Sequence, residues 1–146
     1  MNTVPDVQSA IIEQLQALLA AVPGFGASVQ EGSVMRLLDA EDPGLGDNLI
    51  ILQETSTEES ERVGTSSCKE TLNLSIVAIT RRLDNTQSLR AGRLAIKQAL
   101  NGLKAGLTVP GVVKVAWGVE TPMYPAEGRR WAARVLPIAI TYTQSL

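Results

Sequence analysis

Apolar positions along this chain follow two periods, and the points where one gives way to the other predict its elements. In "VPDVQSAIIEQLQALLAAVPGFG", Val7, Ile11, Leu15, Leu18 and Val22 recur at helical spacing, with Ile12 and Leu19 widening the stripe. This predicts an amphipathic helix with one buried face. Pro5 and Asp6 suit its first turn, where proline forfeits no hydrogen bond and an acid meets the positive end of the dipole. Pro23 and Gly24 supply a stop. "ASVQEGSVMRLLDA" then reads as irregular chain or a short strand, "EDPGLG" as a turn, and Asn48 to Glu54 as a firm strand.

In "CKETLNLSIVAITRR" the period changes to two, with Leu72, Leu74 and Ile76 on one face and Thr71, Asn73 and Ser75 on the other. From Ile76 to Ile79 both faces become apolar, so that end of the strand is expected to be covered on both sides. "NTQSLRAGRLAIKQALNGLKAGL" returns to helical period. Leu89, Ile96, Leu100, Leu103 and Leu107 form one stripe, and Arg90, Arg93, Lys97, Asn101 and Lys104 a basic outer one. "GVVKVAWGVE" and "RWAARVLPIAITYTQ" read as two strands joined by the proline-rich "TPMYPAEGR". Pro137 cannot donate to a ladder, which places its strand at an edge or at a bulge.

Between the strand ending at Glu54 and the one beginning near Cys68 lies "QETSTEESERVGTSSCKE", polar, acidic in its first half and free of proline. It reads as a flexible polar loop at about 54–68, and connections of that length are usually disordered or functional. The whole is one domain, residues 1–146, of the α+β class. Its expected form is a mainly antiparallel sheet of four to five strands packed against two helices, in the order α-β-β-β-α-β-β.

Composition narrows the chemistry. Charged residues make up 19% of the chain and the net charge is −2, which argues against free nucleic-acid binding by a basic domain. The chain contains no histidine, and this removes the commonest general base and the Ser-His and Cys-His nucleophile pairs. No phosphate-cradling GxxxxGK[ST] and no GxGxxG occurs. The single cysteine, Cys68, excludes an internal disulfide, fits a reducing compartment, and reads as a small inert strand residue. "DAEDPGLGDN" gathers four acids, but as a calcium loop it sets Pro43 at a ligand position and Ile50 where the bidentate glutamate belongs. No metal, no cofactor and no catalytic residue is therefore expected. The N-terminus lacks the basic start and apolar run of a signal peptide, and no segment approaches the roughly twenty apolar residues of a membrane span.

What remains is charge. Glu58, Glu59, Glu61 and Arg62 on the polar segment, and Arg90, Arg93 and Lys97 on the second helix, are either solvated surface or opposite surfaces that pair between neighbouring copies. Arg81 and Arg82 close the middle strand, and Arg129, Arg130 and Arg134 surround Trp131. In a ring of subunits, those facing the hole would form a positive lining. Trp117 and Trp131 read as core or hairpin residues ahead of interface anchors.

The order of these elements, with "LNLSIVAITRR", "SLRAGRLAIKQALNGL", "VKVAWGVE" and "ARVLPIAITY" following an amphipathic first helix, resembles the tail terminator proteins of long-tailed bacteriophages, the minor tail protein U type. The resemblance implies a structural virion protein and not an enzyme. Such a subunit assembles as a ring, usually a hexamer, on the finished end of the tail tube, after assembly in the host cytoplasm. It would end tube polymerisation and form the head-tail joining surface. Its partners would be itself, the tail-tube protein and a head-tail connector, with DNA only in passage and no membrane. The polar segment would then be an arm that orders against a neighbour. Two other readings stand beside it: another tail-tube or connector subunit, and a small α+β ligand-binding or regulatory domain.

Overall fold

The computed structural model describes residues 4–40, 46–125 and 130–146. Its order is α1 (Val7–Leu19), β1 (Val29–Glu31), α2 (Val34–Ala40), β2 (Asn48–Val63), β3 (Ser67–Thr80), α3 (Asn85–Ala99), β4 (Val112–Trp117), β5 (Thr121–Met123) and β6 (Ala132–Ser145). The α+β class and the dominant antiparallel sheet are as the sequence predicts. Among the described residues the sheet has six strands, in the order β1-β2-β3-β6-β4 with β5 also on β6, and only β1 runs parallel to its neighbour.

α1 begins at Asp6, whose carboxylate accepts from the backbone N–H groups of Gln8 and Ser9. The helix ends at Leu19, one turn before the expected stop at Pro23 and Gly24. Ile11, Leu15 and Leu19 are fully buried against the sheet. α3 packs on the same sheet face through Leu89, Ile96 and Leu100. Its Gly92 is required by close approach: a Cβ there would stand 2.7 Å from the buried Phe25 ring.

A second, smaller core on the opposite face gathers Val34, Leu49, Ile51, Val77, Ile79, Trp131 and Ala133. This is the double cover that the apolar run from Ile76 to Ile79 demands. What supplies it is α2, a helix where the sequence reading has irregular chain or strand, so the helices among the described residues number three. Its signals are short but present. Ser33 accepts from the Arg36 N–H as a helix-start side chain does, and Val34, Leu37 and Leu38 sit at helical spacing. Gln53 Oε1 accepts from the Val34 N–H at 2.8 Å and ties the helix start to β2.

The largest correction concerns the polar segment at 54–68. It is not a loop. β2 runs through it to Val63, reverses over Gly64 to Ser66, and pairs with β3 from Val63↔Ser67 back to Asn48↔Thr80, with irregularities between Glu54 and Ser56 and between Glu59 and Glu61. Every β2 residue from Glu54 to Val63 is exposed, so no apolar alternation marks this stretch as a strand. Its conformation comes from the ladder to β3, which β6 holds on its other side along its full length. Gly64, at φ +67°, makes the reversal in a conformation that favours glycine.

Two smaller expectations also change. α3 stops at Ala99, and the chain then turns through Gly102, Ala105 and Gly106, all at positive φ. Leu100 and Leu107 stay buried, while Leu103 is 95% exposed and leaves the apolar stripe. Pro137 lies neither at an edge nor at a bulge, because β6 is an inner strand. Its carbonyl accepts from the Gly118 N–H at 2.9 Å, so its donor-less nitrogen faces the interval between β4, which ends at Trp117, and β5, which starts at Thr121. The proline sits where the neighbouring strand is interrupted.

Candidate functional site

The charged residues fall into three groups. The first is the outer half of the β2–β3 hairpin. Beyond Leu52, where β1 stops, the outer edge of β2 has no strand beside it among the described residues, and it carries Glu54, Glu58, Glu59 and Glu61. Arg62 is turned back onto Glu59 at 2.9 Å. Across the sheet, Thr71 and Thr141 hydrogen-bond side chain to side chain at 2.9 Å and Asn73 donates to Ser56 at 3.1 Å. The underside is tied to α1: Gln8 donates to Thr57 and to Tyr142, whose hydroxyl donates to Glu70 at 3.0 Å. Burial, with Glu70 beside it, raises the Tyr142 pKa strongly, although the Gln8 hydrogen bond opposes the rise, and the phenol stays protonated. Cys68 is buried in this region, and desolvation, followed by Glu59 and Glu70, pushes its thiol up.

The second group lies at the other end of the sheet. Arg81 stacks over Trp131 at 4.7 Å, and its backbone N–H donates to Asp47. Arg82 donates to Asp84 at 3.0 Å, and that hydrogen bond lowers the Asp84 pKa. Arg130 is exposed, and Arg129 lies outside the described residues, as do Glu41, Asp42 and Pro43 of the acidic turn. Between Glu70, paired with Glu59, and Arg81 are eleven steps of strand, roughly 36 Å at 3.3 Å per residue. The molecule is thus acidic at one end and arginine-rich at the other.

The third group is one that sequence reasoning missed. Glu120, in the interval between β4 and β5, draws in Arg93, whose Nε donates to Oε1, Lys97 at 2.9 Å from Oε2, and Arg134 at 3.5 Å. Lys97 also lies over the Trp117 ring at 5.2 Å. Burial works against the charged form of Glu120, but the hydrogen bonds and charges of Arg93 and Lys97 prevail and hold its carboxyl at about 2. Two of the three basic helix residues named from the sequence thus point into the fold; Arg90 is the exposed one. The available signal was the i, i+4 pair Arg93 and Lys97, but nothing in the sequence aligns that pair with a glutamate more than twenty residues on.

Clefts open on the surface of the described residues. An open one of about 380 Å³ between α1 and β2 is lined by Asp6, Glu13, Glu31 and Glu54. An apolar one of about 200 Å³ lies between Met35, Met123, Tyr124 and Trp131. Among the described residues no group of three or more His, Cys, Asp or Glu side chains could hold a metal ion, and no helix is long and apolar enough to cross a membrane.

Comparison with known proteins gives one kind of result. No protein-family model matches the chain, and no curated protein does. Among solved structures, it is similar to a chain of a structure described as "Virion of native gene transfer agent (GTA) particle". The match covers 95% of this chain and 94% of that one, at TM-score 0.55 and 16% identity. At that identity the likeness establishes the fold, over nearly the entire length.

Proposed function

We propose that this chain is a structural protein of a phage-like virion, and more specifically that it caps the tail tube as a ring. It would end tube polymerisation there and form the surface that joins tail to head. The observation that carries the coarser reading is the end-to-end fold likeness to a component of a gene transfer agent virion, a phage-like particle. A fold by itself does not fix a function. What favours an assembly role in addition is the distribution of surface: a long hairpin with one unpaired edge, acidic charge on that edge, and arginines at the far end of the sheet. Such opposite surfaces on one subunit suit a head-to-tail contact that closes into a ring.

In this reading the subunit is located in the virion tail and is assembled in the host cytoplasm. It has no catalytic duty and binds a tail-tube protein on one ring face and a connector on the other. Glu58, Glu59 and Glu61 contact a neighbouring copy, with Arg90 the accessible cation on the opposing helix. Arg81, Arg82 and Arg130 face the passage or a partner. The test is light scattering across a concentration series, followed by negative-stain imaging and a tube-growth assay with purified tail-tube protein. Rings of about six subunits that arrest tube growth would support the proposal. Subunits that stay monomeric with and without tubes, and that a metabolite stabilises thermally, would replace it with the ligand-binding reading.

A further inference from the structure

The cluster around Glu120 has more cation than its own carboxylate can satisfy. Arg93, Lys97 and Arg134 bring three positive charges to one negative one, a local net of +2, and they have no second acidic partner among the described residues. Two guanidiniums and an ammonium offer about thirteen N–H donors, against about four acceptor sites on a carboxylate. The shortage of acceptors is visible at one atom. Arg134 Nε is buried, stands 3.5 Å from Glu120 Oε1, and makes no hydrogen bond. Such an unsatisfied donor is destabilising in the absence of another acceptor.

The three cations are also held in place. Arg93 and Lys97 are on consecutive turns of α3, whose other face is anchored by Leu89, Ile96 and Leu100, and Arg134 is on the inner strand β6. Lys97 is further fixed by the Trp117 ring. Side chains of Arg93 and Lys97 are 32% and 31% exposed, so their remaining donors open to solvent on one side of Glu120.

We propose that this cluster is an oxyanion site for a phosphate group, with Arg93, Lys97 and Arg134 as its ligands and Glu120 as the carboxylate that spaces them. Charge balance selects the ligand. A phosphate monoester, about −1.5 to −2 at neutral pH, cancels most or all of the local +2, whereas a second carboxylate leaves +1 unmet. A tetrahedral oxyanion also presents several acceptors to the arginine forks, as chloride does not. The site stands on the geometry of this cluster and does not depend on the proposed assembly role. The source is either a free phosphate-bearing small molecule or the terminal phosphate of a nucleic acid.

The test is calorimetric titration of the full chain with inorganic phosphate and with pyrophosphate, at ionic strength matched with sodium chloride, beside a parallel titration with a short 5′-phosphorylated DNA duplex. The expected result is saturable pyrophosphate binding that weakens roughly tenfold in Arg134→Gln and in Lys97→Met, and tightens severalfold in Glu120→Gln, where the competing carboxylate is gone. Tightening in Glu120→Gln separates the proposal from a purely structural cluster, because loss of structure cannot improve binding. Lys97→Met, on the helix surface, keeps the test intact should Arg134→Gln fail to fold. Duplex binding weakened by the same substitutions would assign the phosphate to a nucleic acid; binding of phosphate alone would assign it to a small molecule. A response no greater than that to chloride, or one unchanged in both cation variants, would overturn the site.

Discussion

Replacing Glu120 by glutamine removes one charge while keeping the side chain's size, and it leaves Arg93, Lys97 and Arg134 without their anion. The carboxyl lies at about 2 in the folded protein, against 4.5 as its ordinary value. A gap of that size corresponds to roughly 3 kcal/mol at about 1.4 kcal/mol per pH unit. Because the folded value is the lower one, this stability is fully present above about pH 4.5 and disappears as the pH falls toward 2. Arg93 and Lys97 are each close to one-third exposed, and solvent screening trims the expected effect to about 2 kcal/mol at neutral pH. The assay is urea unfolding followed by tryptophan fluorescence, in phosphate-free buffer, for the native chain and Glu120→Gln between pH 7 and pH 2. The difference between the two proteins should be largest at neutral pH and close toward pH 2. A difference within about 0.5 kcal/mol at pH 7, or one that does not change with pH, would refute the reasoning.

Three further outcomes are expected. In the proposed ring, changing Glu58, Glu59 and Glu61 together to lysine should weaken self-association in sedimentation velocity while leaving the unfolding midpoint nearly unchanged, since all three side chains are exposed; normal assembly by the triple variant would remove the hairpin edge from the proposed interface. Gly92→Val should lower stability by roughly 2–3 kcal/mol in chemical denaturation, because its Cβ alone meets the Phe25 ring at 2.7 Å. Cys68 should resist a water-soluble thiol reagent in the native protein and react at once in denaturant; fast native labelling would show that the β3–β6 ladder opens there.

What the sequence made legible follows from which forces write a pattern into it. α1, α3 and the inner strands β3 and β6 bury one face or both, so their apolar residues carry the period, and they were readable together with the class and most of the order. The outer half of β2 buries nothing, and its strand conformation is imposed by hydrogen bonds to β3, which leave no trace in polarity. Thr55, Thr57 and Val63 before Gly64 were the residual hints of a hairpin. α2 was too short for a periodicity argument, though Ser33 with Val34, Leu37 and Leu38 marks it in retrospect. The Glu120 cluster was illegible for a different reason. It joins α3, the β4–β5 interval and β6, and only the crossover that brings β4 beside β6 makes them neighbours.

The position of β6 has a consequence for how the protein is made. This strand lies inside the sheet, with β3 on one side and β4 and β5 on the other. Its Gln144 also secures the start of α1, accepting from the Val7 N–H at 2.9 Å and donating to the Pro5 carbonyl at 2.7 Å. A nascent chain therefore has no completed sheet, and no fixed first helix, until residues 132–145 have emerged during synthesis. Folding must wait for contacts of very large sequence separation, which places it among the slow topologies. A chain cut short before β6 would expose the edge of β3 and the apolar faces of α1 and α3, a form for proteases and chaperones to remove. Synthesis through β6 thus acts as a checkpoint on which copies reach the folded state.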